Sequence, residues 1–277
     1  MSMRCIFCKQ QSDNSSSVEH VLPESFGNKE HVLPAGWVCD TCNNYFSRKV
    51  EKPFLECGFG RSIRHFMAVP SKKGRTPSTL GMYPLSRCAI ELAFDEIGML
   101  CVSGVPGEGE QRFVDAIRSH SAGRFYIPDP GLPAANHTTS RFIAKVGLEV
   151  LALRGTDSHK WNDKIVENRQ LDELRDYARR GICKEIWPVS IRQIYPRDFV
   201  FPADEVSECH QLLNEWTVLV TPDAPPHEFH AVIAMFGVEV VINLGGPELD
   251  GWNAWLSRNR GASPLYPKGI PRAHSGD

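Results

Sequence analysis

SVEHVLP, residues 17–23, sets a glutamate and a histidine side by side between valines, with Pro23 closing the run. The flanking valines and the proline read as the end of a short strand. Two ionisable groups at such a place need a reason, and it lies on either side. CIFC precedes the stretch with Cys5 and Cys8, and CDTCNN follows it from Cys39 to Asn44.

Two C-x2-C pairs separated by residues 9–38 have the spacing of a zinc site. Each pair wraps one edge of a tetrahedral ion, with Zn–S distances of about 2.3 Å. The alternative is a pair of redox dithiols. Zinc is the stronger reading, because the first ~55 residues hold too few large apolar side chains to fold unaided and need a staple. Cys5, Cys8, Cys39 and Cys42 are therefore the expected ligands of a structural Zn2+. A closed four-cysteine site has no open position and does no chemistry, so catalysis here requires a second metal.

The bulk composition is that of a soluble globular protein. With 31 Lys+Arg against 33 Asp+Glu in 277 residues, the net charge of −2 does not announce a nucleic-acid binder. No window reaches the roughly 18–20 apolar residues that span a bilayer. MSMRCIFCKQQSDNSSS lacks an apolar signal core. Nine cysteines, an odd number, fit thiolates held reduced in a cytoplasmic setting better than a disulfide framework.

Three segments follow from composition: 1–56, a zinc-stapled module; 57–135, a basic connector with strands and a helix; and 136–277, helical and then β-rich. The connector carries Arg61, Arg64, Lys72, Lys73 and Arg75, and SKKGRTPSTLG reads as an exposed loop. Strands are expected at 88–95 and 99–105, and a helix near Glu110. PDPGLPAAN (128–136) is the best linker. Beyond it a helix at about 140–154 is apolar nearly all round, hence buried, and a charged helix is expected at about 162–180. WTVLVT, FHAVIAMF and VEVVINL then read as strands, and residues 259–277 as a frayed tail. HEFH, His227–His230, lies in this β-like region rather than on a helix, so it is not a zinc-protease motif.

Asn43 directly follows the last zinc cysteine and begins a helix with Phe46, Val50 and Phe54 on one side. A strand, a loop and a helix pinned by zinc bring Glu19 and Asn43 towards one ion. Both offer oxygen, which suits Mg2+ or Mn2+ and leaves about four octahedral positions for water and phosphate. His20, on the other side of the strand end, has an ordinary pKa near 6.5 and can take a proton from water. Asn43 also suits a helix cap, and Asn44 could replace it as a ligand. His31 reads as a loop or second-strand residue.

At these residues the sequence resembles the HNH endonuclease family, the ββα-metal fold with a four-cysteine zinc site, in the branch written CxxC…EHxxP…CxxCNN. The resemblance covers about residues 4–54. It implies His20 as general base, Glu19 and Asn43 as ligands of the catalytic metal, and the four cysteines on structural zinc. Glu–His replaces the Asp–His of many members, so the carboxylate reaches one methylene further. Asn28, in FGNKEH, is the candidate for the family's central asparagine, which orients the base.

The expectation is thus an α+β chain. An N-terminal, treble-clef-like ββα-metal module precedes a larger mixed domain. The function expected is metal-dependent hydrolysis of phosphodiester bonds in DNA, with RNA as the other candidate substrate and Arg61–Arg75 as a phosphate track. The rival is a non-catalytic zinc module that docks nucleic acid or protein.

Overall fold

The computed structural model describes residues 2–71, 73–119, 123–181, 185–201, 211–221 and 228–270. The chain forms two compact units. One combines residues 1–54 with 132–277, and the other is residues 55–131. The first and third segments of the sequence thus build a single body. The mixture of helix and strand, with the cysteine cluster at the N-terminal end, is α+β.

The N-terminal part of the larger unit is a two-stranded hairpin and a helix. β1 (Glu19–His20) pairs antiparallel with β2 (Val32–Leu33), Glu19 opposite Leu33 and His20 opposite Val32. Pro23, whose ring fixes φ, starts the 3-10 turn Glu24–Phe26 between them, and Gly27 closes it at φ 81°. α1 (Asp40–Phe46) runs through a π-helical turn, Ser47–Glu51, into α2 (Lys52–Glu56). Phe46, Val50 and Phe54 are all buried, as their spacing requires.

In the smaller unit, α3 (Gly58–Phe66) precedes the meander β3 (Thr79–Tyr83), β4 (Cys88–Phe94) and β5 (Leu100–Gly104). α4 (Glu108–Ser119) covers one face, with Phe113 and Ala116 packed on Tyr83, Ile90 and Leu92. The loop expected over SKKGRTPSTLG ends at Ser78, where β3 begins.

The larger unit resumes with α5 (His137–Leu153), capped by Asn136, whose side chain accepts from Thr139 N. Buried on every side, α5 is the spine of this body. The single helix expected at 162–180 is two: α6 (His159–Glu167) and α7 (Asp172–Arg180). Asn168 breaks them, because its side chain accepts from Gln170 N and starts a new 3-10 turn. β6 (Ser190–Gln193), β7 (Asn214–Thr221), β8 (Glu228–Met235) and β9 (Val238–Asn243) form an antiparallel sheet ordered β6-β9-β8-β7. Gly237, at φ 76°, turns β8 into β9. α8 (Asp250–Arg258), unforeseen in the sequence, packs Trp252 on Val232 and Val241. α5 takes the opposite face, where Gly147 lies against Ala231, Leu244 and Ile242 with no room for a Cβ. No helix among the described residues is long and apolar enough to cross a membrane.

α5 also completes the core of the N-terminal part. Phe142 stacks on Phe54 at 4.1 Å between ring centroids and lies 6.4 Å from Phe26. The first cysteine turn is held by α6 and α7. Arg175 Nε donates to Ile6 O at 2.7 Å, and Asn162 Nδ2 donates to Arg4 O at 2.9 Å. The core missing from residues 1–54 is supplied by residues distant in sequence.

Candidate active site and metal centre

The sulfur atoms of Cys5, Cys8, Cys39 and Cys42 lie within 4.8 Å of one another. Cys8 and Cys39 are 3.7 Å apart, close to the edge of about 3.8 Å of a tetrahedron with Zn–S bonds of about 2.3 Å. Two local devices build the cluster. Lys9 takes φ 62° so that its N–H reaches back to Cys5 O at 2.8 Å. Cys39 caps α1, its sulfur accepting from Cys42 N at 3.4 Å. The crowded thiols split in acidity. Contact with Cys39 raises Cys5, Cys42 pushes Cys8 down to about 2, and Cys5 lowers Cys39 to about 6. This donor set fits zinc.

β1 is tied to the zinc end by α1. Asp40 accepts from the main-chain N–H groups of Ser16 and Ser17 and from the Ser17 hydroxyl. One turn on, Asn43 Nδ2 donates to Val18 O at 3.0 Å. Asn43 therefore lies beside β1. Asn44 is exposed and donates to Asp40 O instead. Asn28 is buried in the β1–β2 loop. Its amide donates to Leu22 O at 2.8 Å and His31 O at 3.0 Å, and its oxygen accepts from His31 N at 2.9 Å. It fixes the loop backbone just past His20. His31 packs edge-on against Trp216.

Because successive strand residues face opposite ways, Glu19 and His20 part company. His20 is half-buried. Glu19 points inward and is 4% exposed. There its Oε1 accepts from Lys145 Nζ at 2.6 Å. Lys145, on α5 and 0% exposed, also donates to Glu51 Oε1 at 2.7 Å and His20 O at 3.3 Å. It lies 2.9 Å from Glu149 Oε2, one turn along α5. The π turn after α1 is what carries Glu51 into this cluster. Burial raises Glu149 well above the usual carboxylate range. Lys145 is raised as well: burial opposes its charge, but Glu149, Glu19 and Glu51 outweigh that burial and hold the ammonium charged.

The sequence reading missed Lys145. Its trace was there: a lysine and a glutamate four residues apart in a helix otherwise apolar all round, which must be paired to be buried.

The basic stretch belongs to the smaller unit. Arg61, Lys73 and Arg75 are exposed, with Arg61 Nε donating to Ser78 O at 3.3 Å. Arg64 does not share that surface. It is 8% exposed, and burial lowers its pKa. Lys72 lies outside the described residues, as do Cys209, His210 and His227. His230 is buried on β8, 3.0 Å from Glu228.

Residues 5–57 match the family model described as HNH endonuclease. Comparisons with curated proteins and with solved structures return no significant match. Over residues 5–57 the N-terminal segment is thus similar to the HNH endonuclease family, and its cysteine cluster is a candidate metal site.

Proposed function

We propose that the chain is an endonuclease that hydrolyses phosphodiester bonds in DNA, with His20 as general base. The reading rests on the family match over residues 5–57, whose EH pair lies between the two cysteine pairs on a backbone held from several sides. Ladder pairing to Val32, the Lys145 bond to His20 O and the Asn43 bond to Val18 O fix the strand that bears the imidazole. A fixed base contributes typically about 10^2–10^4 in rate. The imidazole takes a proton from water, the water oxygen attacks phosphorus, and the bond from phosphorus to the leaving oxygen breaks. Arg61, Lys73 and Arg75 are the cations offered as phosphate contacts. Zinc on the four thiolates holds the fold and takes no part in the chemistry.

The Mg2+ or Mn2+ expected between Glu19 and Asn43 is a different matter. Asn43 is half-buried with its amide nitrogen on Val18 O, so its oxygen is the atom it has to offer. The Glu19 carboxylate faces the interior and is engaged by Lys145. As folded here, the pair does not fit a divalent ion.

The test is supercoiled plasmid incubated with wild-type protein and His20→Ala at equal zinc content, in Mg2+, in Mn2+ and in EDTA. Nicking by the wild type alone supports the reading, and equal nicking by both proteins contradicts it. The engagement of Glu19 by Lys145 also favours a second reading, a zinc-stapled module that docks nucleic acid without cutting. A gel shift without cleavage would favour that one.

A further inference from the structure

We infer that Lys145 is the resident cation of Glu19: its ammonium occupies the place a divalent ion would take on that carboxylate, and it withholds Glu19 from metal coordination while α5 packs on the N-terminal strands. The inference deepens the nuclease reading, and rests on it only for singling out Glu19.

The geometry is that of a filled site. An ammonium has three protons, and Lys145 directs them to Glu19 Oε1, Glu51 Oε1 and His20 O, with Glu149 at 2.9 Å as a further carboxylate. Four groups from three elements converge on the Lys145 ammonium: Glu19 and the His20 carbonyl from β1, Glu51 from the π turn and Glu149 from α5. A Mg2+ ion needs six oxygens at about 2.0–2.1 Å, most of them from water or phosphate. The Glu19 side chain is 5% exposed and that of Lys145 0%, so a phosphodiester does not reach this carboxylate. An ion on the same carboxylate would also bring a double positive charge against a buried ammonium, in a medium where such repulsion is strong. Lys145 itself cannot touch DNA. It acts on the site only through Glu19 and the His20 backbone.

The test is Mn2+ uptake by zinc-loaded full-length protein without DNA, followed by the loss of the free-ion electron paramagnetic resonance signal. Wild type is compared with Glu19→Gln and, because a single change may unfold the cluster, with Glu19→Gln/Lys145→Met, which removes both charges together. Dissociation constants within about twofold of wild type in whichever variant keeps its zinc and its melting temperature, or no uptake by any protein, are the expected results. A weakening beyond twofold in a folded variant that lacks Glu19 would overturn the inference. Since no cleavage is read, plasmid nicking judges the nuclease reading separately.

Discussion

Two clusters of polar side chains hold the N-terminal strands and helix of this chain, and they solve the same problem in opposite ways. The sulfur cluster gathers four donors that crowd one another and could hold an ion from outside. The Glu19 cluster, at the other side of the same β1–α1 unit, gathers three carboxyl groups around a cation from the chain itself, Lys145 of α5. The four donors of the first all lie within residues 5–42. The second forms only when residues more than a hundred positions later have folded onto them. A small module thus becomes part of a larger body through a charge it lacks.

Removing the supplied cation has the largest expected effect. Stripping zinc with a chelator, or Cys42→Ser, removes a site whose binding energy in small zinc domains is about 10–16 kcal/mol at pH 7. Loss of cooperative thermal unfolding and rapid proteolysis within residues 1–54 are the expected readouts. Persistence of the native melting curve without zinc would show that α5 alone suffices.

Removing the built-in cation comes next. Lys145→Met leaves buried carboxylates unpaired, and breaking such a pair from one side costs about 3–5 kcal/mol. Urea unfolding of Lys145→Met against Glu19→Gln/Lys145→Met sharpens the point, because the double variant is expected to regain much of the loss.

A third buried group, His230, has a carboxylate neighbour, Glu228. Burial of its ring lowers its pKa to about 4 from an ordinary 6.5. The unfolded chain then binds the extra proton first, so His230 favours the fold fully above pH 6.5. That contribution is lost as pH falls towards about 4, and the whole effect is about 3 kcal/mol. Denaturant titrations at pH 7, 5.5 and 4 should show the slope in wild type and a smaller one in His230→Phe.

The smallest effect is expected at Asn28. Asn28→Ala removes three hydrogen bonds of the β1–β2 loop, at about 1 kcal/mol each before relaxation. A fall of about 2–3 kcal/mol in urea unfolding, with zinc retained, is the expected result.

The cysteine cluster was legible in the sequence because its information is local: cysteine spacing, the strand-end proline and Phe46, Val50 and Phe54 at helical spacing. Three of the C-terminal strands were legible too, as β-branched runs around Gly237. The carboxylate cluster was not. Lys145 and Glu149 looked like incidental charges on an apolar helix, and nothing near Glu19 in sequence names its partner. Asn168 hid in the same way, since a side-chain cap can end a helix whose apolar stripe runs on. β6 is only four residues long, and α8 owes its place to Trp252 meeting the sheet. Long-range pairing, not local propensity, set these outcomes.

The most direct measurement is an anomalous-scattering crystal structure of zinc-loaded protein soaked in Mn2+. The expected map has a zinc peak among Cys5, Cys8, Cys39 and Cys42, and Lys145 Nζ on Glu19 with no manganese there. A manganese peak coordinated by Glu19, with Lys145 turned away, would contradict the built-in cation and return Glu19 to the role of metal ligand.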